Sequence, residues 1–239
     1  MEGVLKLEFG PELVARVVDR AVERRSAGDA LREEYRTRLE GLYALDRKVR
    51  AQALGLVQRE IFERLGWPSF FGELLEDFRG RVPLARIGAS EQEEGCFIGG
   101  RGELVVRLSP RRFENRLVLR LYLDHELLHA KDLLDPAFGY RPEPMDPATR
   151  ARYVRLWCDS VEARLRGERS GPVTHAELLA RARAGVTRCS LCRLPAALLH
   201  RVEGPWAQRL REAEPAWDPL QGVCERCLEW ARLSRPSAG

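Results

Sequence analysis

The sequence predicts an α+β fold that is mostly helical with a small β-sheet, followed by a small four-cysteine zinc-binding module. Three observations carry this expectation. Apolar residues recur at three- and four-residue spacing through the first third of the chain and again through 112–134. Short runs rich in Val, Ile and Leu, bounded by Gly and Pro, lie between 83 and 108. Two Cys-x-x-Cys pairs sit near the end, Cys189/Cys192 and Cys224/Cys227. The organisation expected is a helical region over 1–80, a core over 81–170, a helical linker over 171–188 and the cysteine module over 189–239.

The first helix starts at Pro11, where the missing N–H costs nothing, and turns Leu13, Val14, Val17, Val18 and Val22 to one face. Asp29 is placed to cap a second helix that runs toward Gly66, with Gly41 and Gly55 as points of bending or breakage. Trp67-Pro68-Ser69 reads as a turn, with Ser69 capping the segment after it. Dense Glu/Arg pairing throughout reads as a solvated, salt-bridged surface.

Three strands follow, over 83–88, 96–98 and 103–108, with Gly99-Gly100-Arg101-Gly102 as a tight turn. The stretch 112–134 has no Pro or Gly and a broad apolar band (Leu117, Leu119, Leu121, Leu123, Leu127, Leu128, Leu133), which suits a helix buried on most sides. Asp135-Pro136 ends it. A second long helix spans 149–167. Thr174-x-x-Glu177 is a capping box opening a further helix, which puts His175 on an exposed first turn.

The chemistry concentrates in His125-Glu126-Leu127-Leu128-His129. On a helix, imidazoles four residues apart share a face and can grip one metal ion, while the glutamate between them can take a proton from water activated by that ion. Only four histidines occur in the chain, and two fall in this pentad. A catalytic zinc takes three protein ligands and keeps one open position. The next histidine is His175, so a carboxylate is the expected third ligand. Asp159 and Glu162 lie one turn apart on the 149–167 helix. Asp132, three residues past His129, is placed to orient an imidazole.

These residues resemble the gluzincin metallopeptidases, which join H-E-x-x-H to a glutamate on a following helix. The likeness covers about 84–167. It implies a zincin-like core, a catalytic zinc held by His125, His129 and Glu162, and Glu126 as general base. It leaves Asp159 as a supporting group, or as the ligand if the register differs. It also implies an edge strand that holds an extended peptide by backbone hydrogen bonds, a role that falls on 103–108. Tyr140, Tyr153 and Arg155 are the candidates for a donor to the oxyanion.

Cys189, Cys192, Cys224 and Cys227 read as the four thiolates of a structural zinc, in an order that resembles zinc-ribbon and treble-clef modules. The interval between the pairs is long. It holds His200, Trp206, Pro215 and Trp217, and a terminal helix opens at Cys227. Cys96 and Cys158 stand in apolar surroundings and read as buried thiols, with a metal-proximal role open for Cys158.

With 239 residues the chain can bury a proper core. It contains no stretch long enough for a membrane span and no signal-peptide pattern at its start, and cysteines arranged as metal knuckles fit a reducing cytoplasm. From 189 to 239 there are seven arginines against six carboxylates, so a zinc-thiolate module there is near neutral or acidic. That speaks against nucleic acid as the main partner. One basic group remains, Arg101, Arg107, Arg111, Arg112, Arg116 and Arg120. The function expected is a zinc-dependent metallopeptidase acting on a peptide or protein. Three alternatives stand beside it: a non-catalytic metal-binding interaction protein on a protease-like scaffold, an SprT-type protease acting on nucleic-acid-associated proteins, and a zinc-dependent hydrolase of a non-peptide substrate. The SprT pattern is departed from by the lack of a third histidine before His175.

Overall fold

A computed structural model describes residues 4–168, 171–184, 187–189, 191–192, 194–196, 202, 205–213 and 222–233. The chain divides into two compact units, Met1–Asp135 and Pro136–Gly239. The architecture is mixed α+β, with a four-stranded sheet in the first unit. Among the described residues no helix is long and apolar enough to cross a membrane.

The first unit begins with β1 (Lys6–Phe9), a strand that the sequence reading did not anticipate. Helix α1 (Pro11–Glu23) follows and buries Leu13, Val14, Val17, Val18 and Val22, the face that its spacing predicts. Asp29 caps α2 (Ala30–Leu42) by accepting from Leu31 N and Arg32 N. The expected single helix to Gly66 is in fact two. The break falls after Leu42, where Asp46 starts α3 (Arg47–Arg64) by accepting from Lys48 N and Val49 N, and Gly55 lies inside that helix. An Asp free to cap outcompetes a glycine as a breaker, because it satisfies the orphan N–H groups of a new helix. The Glu/Arg surface is as expected: Arg38 bonds Glu60 at 2.7 Å and Arg64 bonds Glu34 at 2.7 Å, both across the α2–α3 pair.

Trp67-Pro68-Ser69 is not a turn. Gly66, at φ +74°, ends α3's overhang and lets α4 (Trp67–Leu74) begin at once with Pro68 in its first turn. Then come β2 (Leu84–Ala89), β3 (Gly95–Ile98) and β4 (Leu104–Leu108). The sheet order is β1-β2-β4-β3, with β1, β2 and β4 parallel and β3 antiparallel to β4. This corrects the expectation that 103–108 is an edge: β4 is paired on both sides and β3 is the edge strand. Alternate residues of β4 (Leu104, Val106, Leu108) are buried and join Ala85 and Ile87 of β2 in the core, with Phe62, Phe71 and Phe78 from the helical side.

The long apolar stretch also breaks where it was read as continuous. A 3-10 turn over Pro110–Glu114 precedes Asn115, whose side chain accepts from Leu117 N and Val118 N and so starts α5 (Arg116–Leu134). Helix α5 packs along β3 and buries Leu119, Leu123, Leu127 and Ala130 in the core. It is not buried on most sides. Leu117, Val118 and Leu121 are 67%, 51% and 61% exposed.

The second unit holds α6 (Pro147–Leu165), capped by Asp146 through Thr149 N, and α7 (His175–Ala184). The predicted capping box is present: Thr174 N donates to Glu177 Oε2 at 3.1 Å and Glu177 N to Thr174 Oγ1 at 3.3 Å. His175, expected on the surface, is only 3% exposed. Its Nδ1 pairs with the Tyr153 hydroxyl at 2.8 Å, and Phe138, Tyr140 and Tyr153 surround its ring. The first turn of α7 lies against an aromatic cluster, and burial of that cluster overrides the usual exposure of a helix start. Strands β5 (Thr187–Arg188) and β6 (Pro195–Ala196) form an antiparallel pair, and α8 (Pro205–Ala213) and α9 (Glu225–Leu233) follow. The terminal helix thus opens at Glu225, two residues before Cys227. His200, Pro215 and Trp217 lie outside the described residues.

Candidate metal centres

The histidine pair sits on α5, where a spacing of four residues stacks the two rings one turn apart. Their Nε2 atoms are 3.1 Å apart, and both side chains are half-buried. Two ring nitrogens at that separation need something positive between them, either a proton on one ring or a cation shared by both. Two imidazole nitrogens on one tetrahedral zinc, each at about 2.0–2.1 Å, stand about 3.3–3.4 Å apart. The pair therefore already has nearly the spread a zinc ion asks for.

Glu126 points to a different side of α5. Its carboxylate meets the start of β3, where the backbone N–H of Cys96 favours its charged form. Burial pushes this carboxyl above the ordinary range; the His125 ring, the Cys96 N–H and Arg112 pull the other way without prevailing. Around it stands a group that the sequence reading did not assign to the site. Tyr122, one turn before Glu126, has its hydroxyl pushed up by burial and by the Glu126 charge. The Arg112 guanidinium lies 3.6 Å above the Tyr122 ring and grips Glu94 through Nε and Nη2 at 2.8–3.0 Å. Glu94 also accepts from Ser109 N at 2.6 Å. Cys96 is buried, and burial and Glu126 together push its thiol up, which keeps it an inert packing group. The sequence marks only a close backbone approach here, through Gly95 directly ahead of an apolar strand, and not the residues of the group.

The other residues singled out from the sequence fall as follows. Asp132 is buried on α5 one turn past His129. Asp159 and Glu162 are exposed on α6, and Glu162 lies 3.5 Å from Arg166. Cys158 on the same helix is half-buried. The Tyr153 hydroxyl faces His175, Tyr140 packs edge-on against the same ring, and Arg155 is exposed. Half of the basic group is paired: Arg107 with Glu93, Arg112 with Glu94 and Arg120 with Asp124.

In the second unit Cys189, Cys192, Cys224 and Cys227 come together, with every sulfur within 4.8 Å of the others. Cys192 and Cys224 are 3.8 Å apart at sulfur. Four thiolates around a tetrahedral zinc at about 2.3 Å stand about 3.8 Å from one another. Burial opposes ionisation of Cys189, but the N–H groups of Cys224, Cys192 and Leu191 outweigh it and bring the thiol down to about 6. Val202, Leu210, Val223 and Leu228 pack around this cluster as a small apolar core. The four cysteines thus form a group able to hold a metal ion.

Comparison with protein-family models, with curated proteins and with solved structures gives no significant match. The chemistry of this chain is read from its own residues.

Proposed function

We propose that this protein is a zinc-dependent hydrolase of peptide bonds, with His125 and His129 as two ligands of a catalytic zinc and Glu126 as its general base. The observation that carries the reading is the 3.1 Å approach of the two Nε2 atoms, one residue from a carboxylate that is desolvated and held against a strand edge. The ion, when bound, supplies Lewis-acid polarisation of a carbonyl and a lowered pKa for water.

The chain's own residues do the rest. Glu126 accepts a proton from the attacking water and returns it to the leaving amine nitrogen. Its raised pKa favours that return. The carboxylate lies against Gly95 at the start of β3, which limits where it can reach. Strand β3, the edge of the sheet that lies beside α5, is the place where an extended peptide docks by strand addition. The third ligand is left to the likeness and to the residues' chemistry. Glu162 is the one that the gluzincin likeness implies, Asp159 lies one turn before it, and Cys158 has ligating chemistry and is the least exposed of the three.

Zinc is the metal proposed for both centres. In the cysteine group it acts as a structural clip, because four thiolates leave no open position. Glu126→Gln should keep the metal of the histidine pair and lose hydrolysis of a casein or peptide-library substrate. Hydrolysis that survives this change would remove the mechanism. Single changes of Cys158, Asp159 and Glu162, read by metal content, identify the third ligand.

A further inference from the structure

A cleft of about 380 Å³ opens in the first unit, with α1, the 3-10 turn before α5 and the first residue of α5 on its walls. Neither histidine of the pair nor Glu126 lines it. Arg116 is nine residues from His125, about 13 Å along the helix axis. Its floor is apolar, built from Val17, Leu65, Trp67 and Phe113. Its rim is cationic: Arg20, Arg24, Arg25 and Arg116, with Glu114 as the acid among the lining residues.

The charges there do not balance. Glu114 serves two guanidinium groups at once, Arg20 at 3.2 Å and Arg24 at 2.6 Å. Arg20 Nε is close to that carboxylate but poorly aligned, and it is buried without a hydrogen bond. Arg25 has Asp29 at 2.9 Å. Arg116 donates to the Leu65 carbonyl and lies 4.7 Å from the Trp67 ring, and among the described residues no carboxylate pairs with it. Four guanidinium groups against Glu114 and Asp29 leave two positive charges over an aromatic floor. A phosphate monoester carries about −1.5 to −2 at pH 7, and guanidinium forks match its oxygens in pairs. The cleft's volume lies in the range of small-ligand sites.

We propose that this cleft binds a small phosphate ester with a flat apolar body, of the size of a nucleoside monophosphate. The phosphate sits among Arg20, Arg24 and Arg116, and the flat body covers Val17, Leu65 and the edges of Trp67 and Phe113 that line the cleft. Arg116 begins the helix that bears the histidine pair, so an occupant there reaches α5 at its origin.

Calorimetric titration of the full chain with adenosine monophosphate, adenosine and inorganic phosphate tests this. The monophosphate should bind saturably, at least about tenfold tighter than either fragment, and more weakly as salt rises. Arg24→Gln and Arg116→Gln should each weaken it at least about tenfold. Arg24 is more than half exposed, so its replacement leaves the fold intact, as circular dichroism would verify. Monophosphate binding no tighter than that of inorganic phosphate would overturn the proposal, as would unchanged binding to the Arg24→Gln protein.

Discussion

Gly95 and Glu126 touch: a Cβ on Gly95 would stand 3.1 Å from Glu126 Oε2 and 3.2 Å from Phe97 Cζ. Gly95 has φ +143°, a conformation that side-chain-bearing residues rarely adopt. The N–H of the next residue, Cys96, favours the charge of the same carboxylate. Edge strand and acid are therefore fitted to one another at a single glycine.

Gly95→Ala should be costly for two reasons, strained backbone and a carboxylate that must give way beside Cys96. The expected loss of stability is about 1–3 kcal/mol, measured by denaturant unfolding. Any hydrolytic activity should fall further than stability does, because the carboxylate is what moves.

Metal content should be about two zinc ions per chain by mass spectrometry of the purified protein. His129→Ala should lose one and keep the cysteine-bound ion; Cys227→Ser should do the reverse. Loss of both ions from either variant would show that the two centres are not independent.

Glu126 costs the metal-free protein stability when charged. Its folded pKa is raised, so what it contributes is fully present below the unfolded value of 4.5 and is lost as pH rises through the folded value. Glu126→Gln should therefore melt higher than the parent near neutral pH in a chelator. That advantage should vanish below about pH 4.

Glu94 has the opposite sign. The Arg112 guanidinium holds it below 4.5, against the pull of burial, so its contribution is present above 4.5 and is lost as pH falls through the folded value. Glu94→Gln should cost about 1–2 kcal/mol at pH 7. A plot of melting temperature against pH should be flatter for the variant than for the parent on the acid side.

Asn115→Ala removes the side chain that accepts from Leu117 N and Val118 N. About 1 kcal/mol of stability should go with it. Amide exchange should quicken in the first turn of α5 and not around His129.

Where the sequence told the fold, it did so through local periodicity. The buried face of α1 and the caps Asp29 and Thr174 are local matters, and each is found as read. The four cysteines converge as their paired spacing implies. Strand β1 escaped because four residues, Lys6–Phe9, alternate too briefly to stand out. The place of β4 inside the sheet escaped because strand order is a property of the whole chain. His175 misled because a capping box marks where a helix starts and says nothing of what packs on it. At the candidate site, His125, Glu126 and His129 were legible as a motif. Glu94, Arg112 and Tyr122 were not, since only the pairing of β3 beside α5 brings them together.

Strand β3 has four residues, and the amide of one of them lies beside Glu126. A visiting chain laid along that border finds few rungs to hold. Backbone pairing alone would grip it weakly, so discrimination among visitors must fall to side chains. A guest that engaged the Cys96 amide would also change the setting of the Glu126 carboxyl beside it.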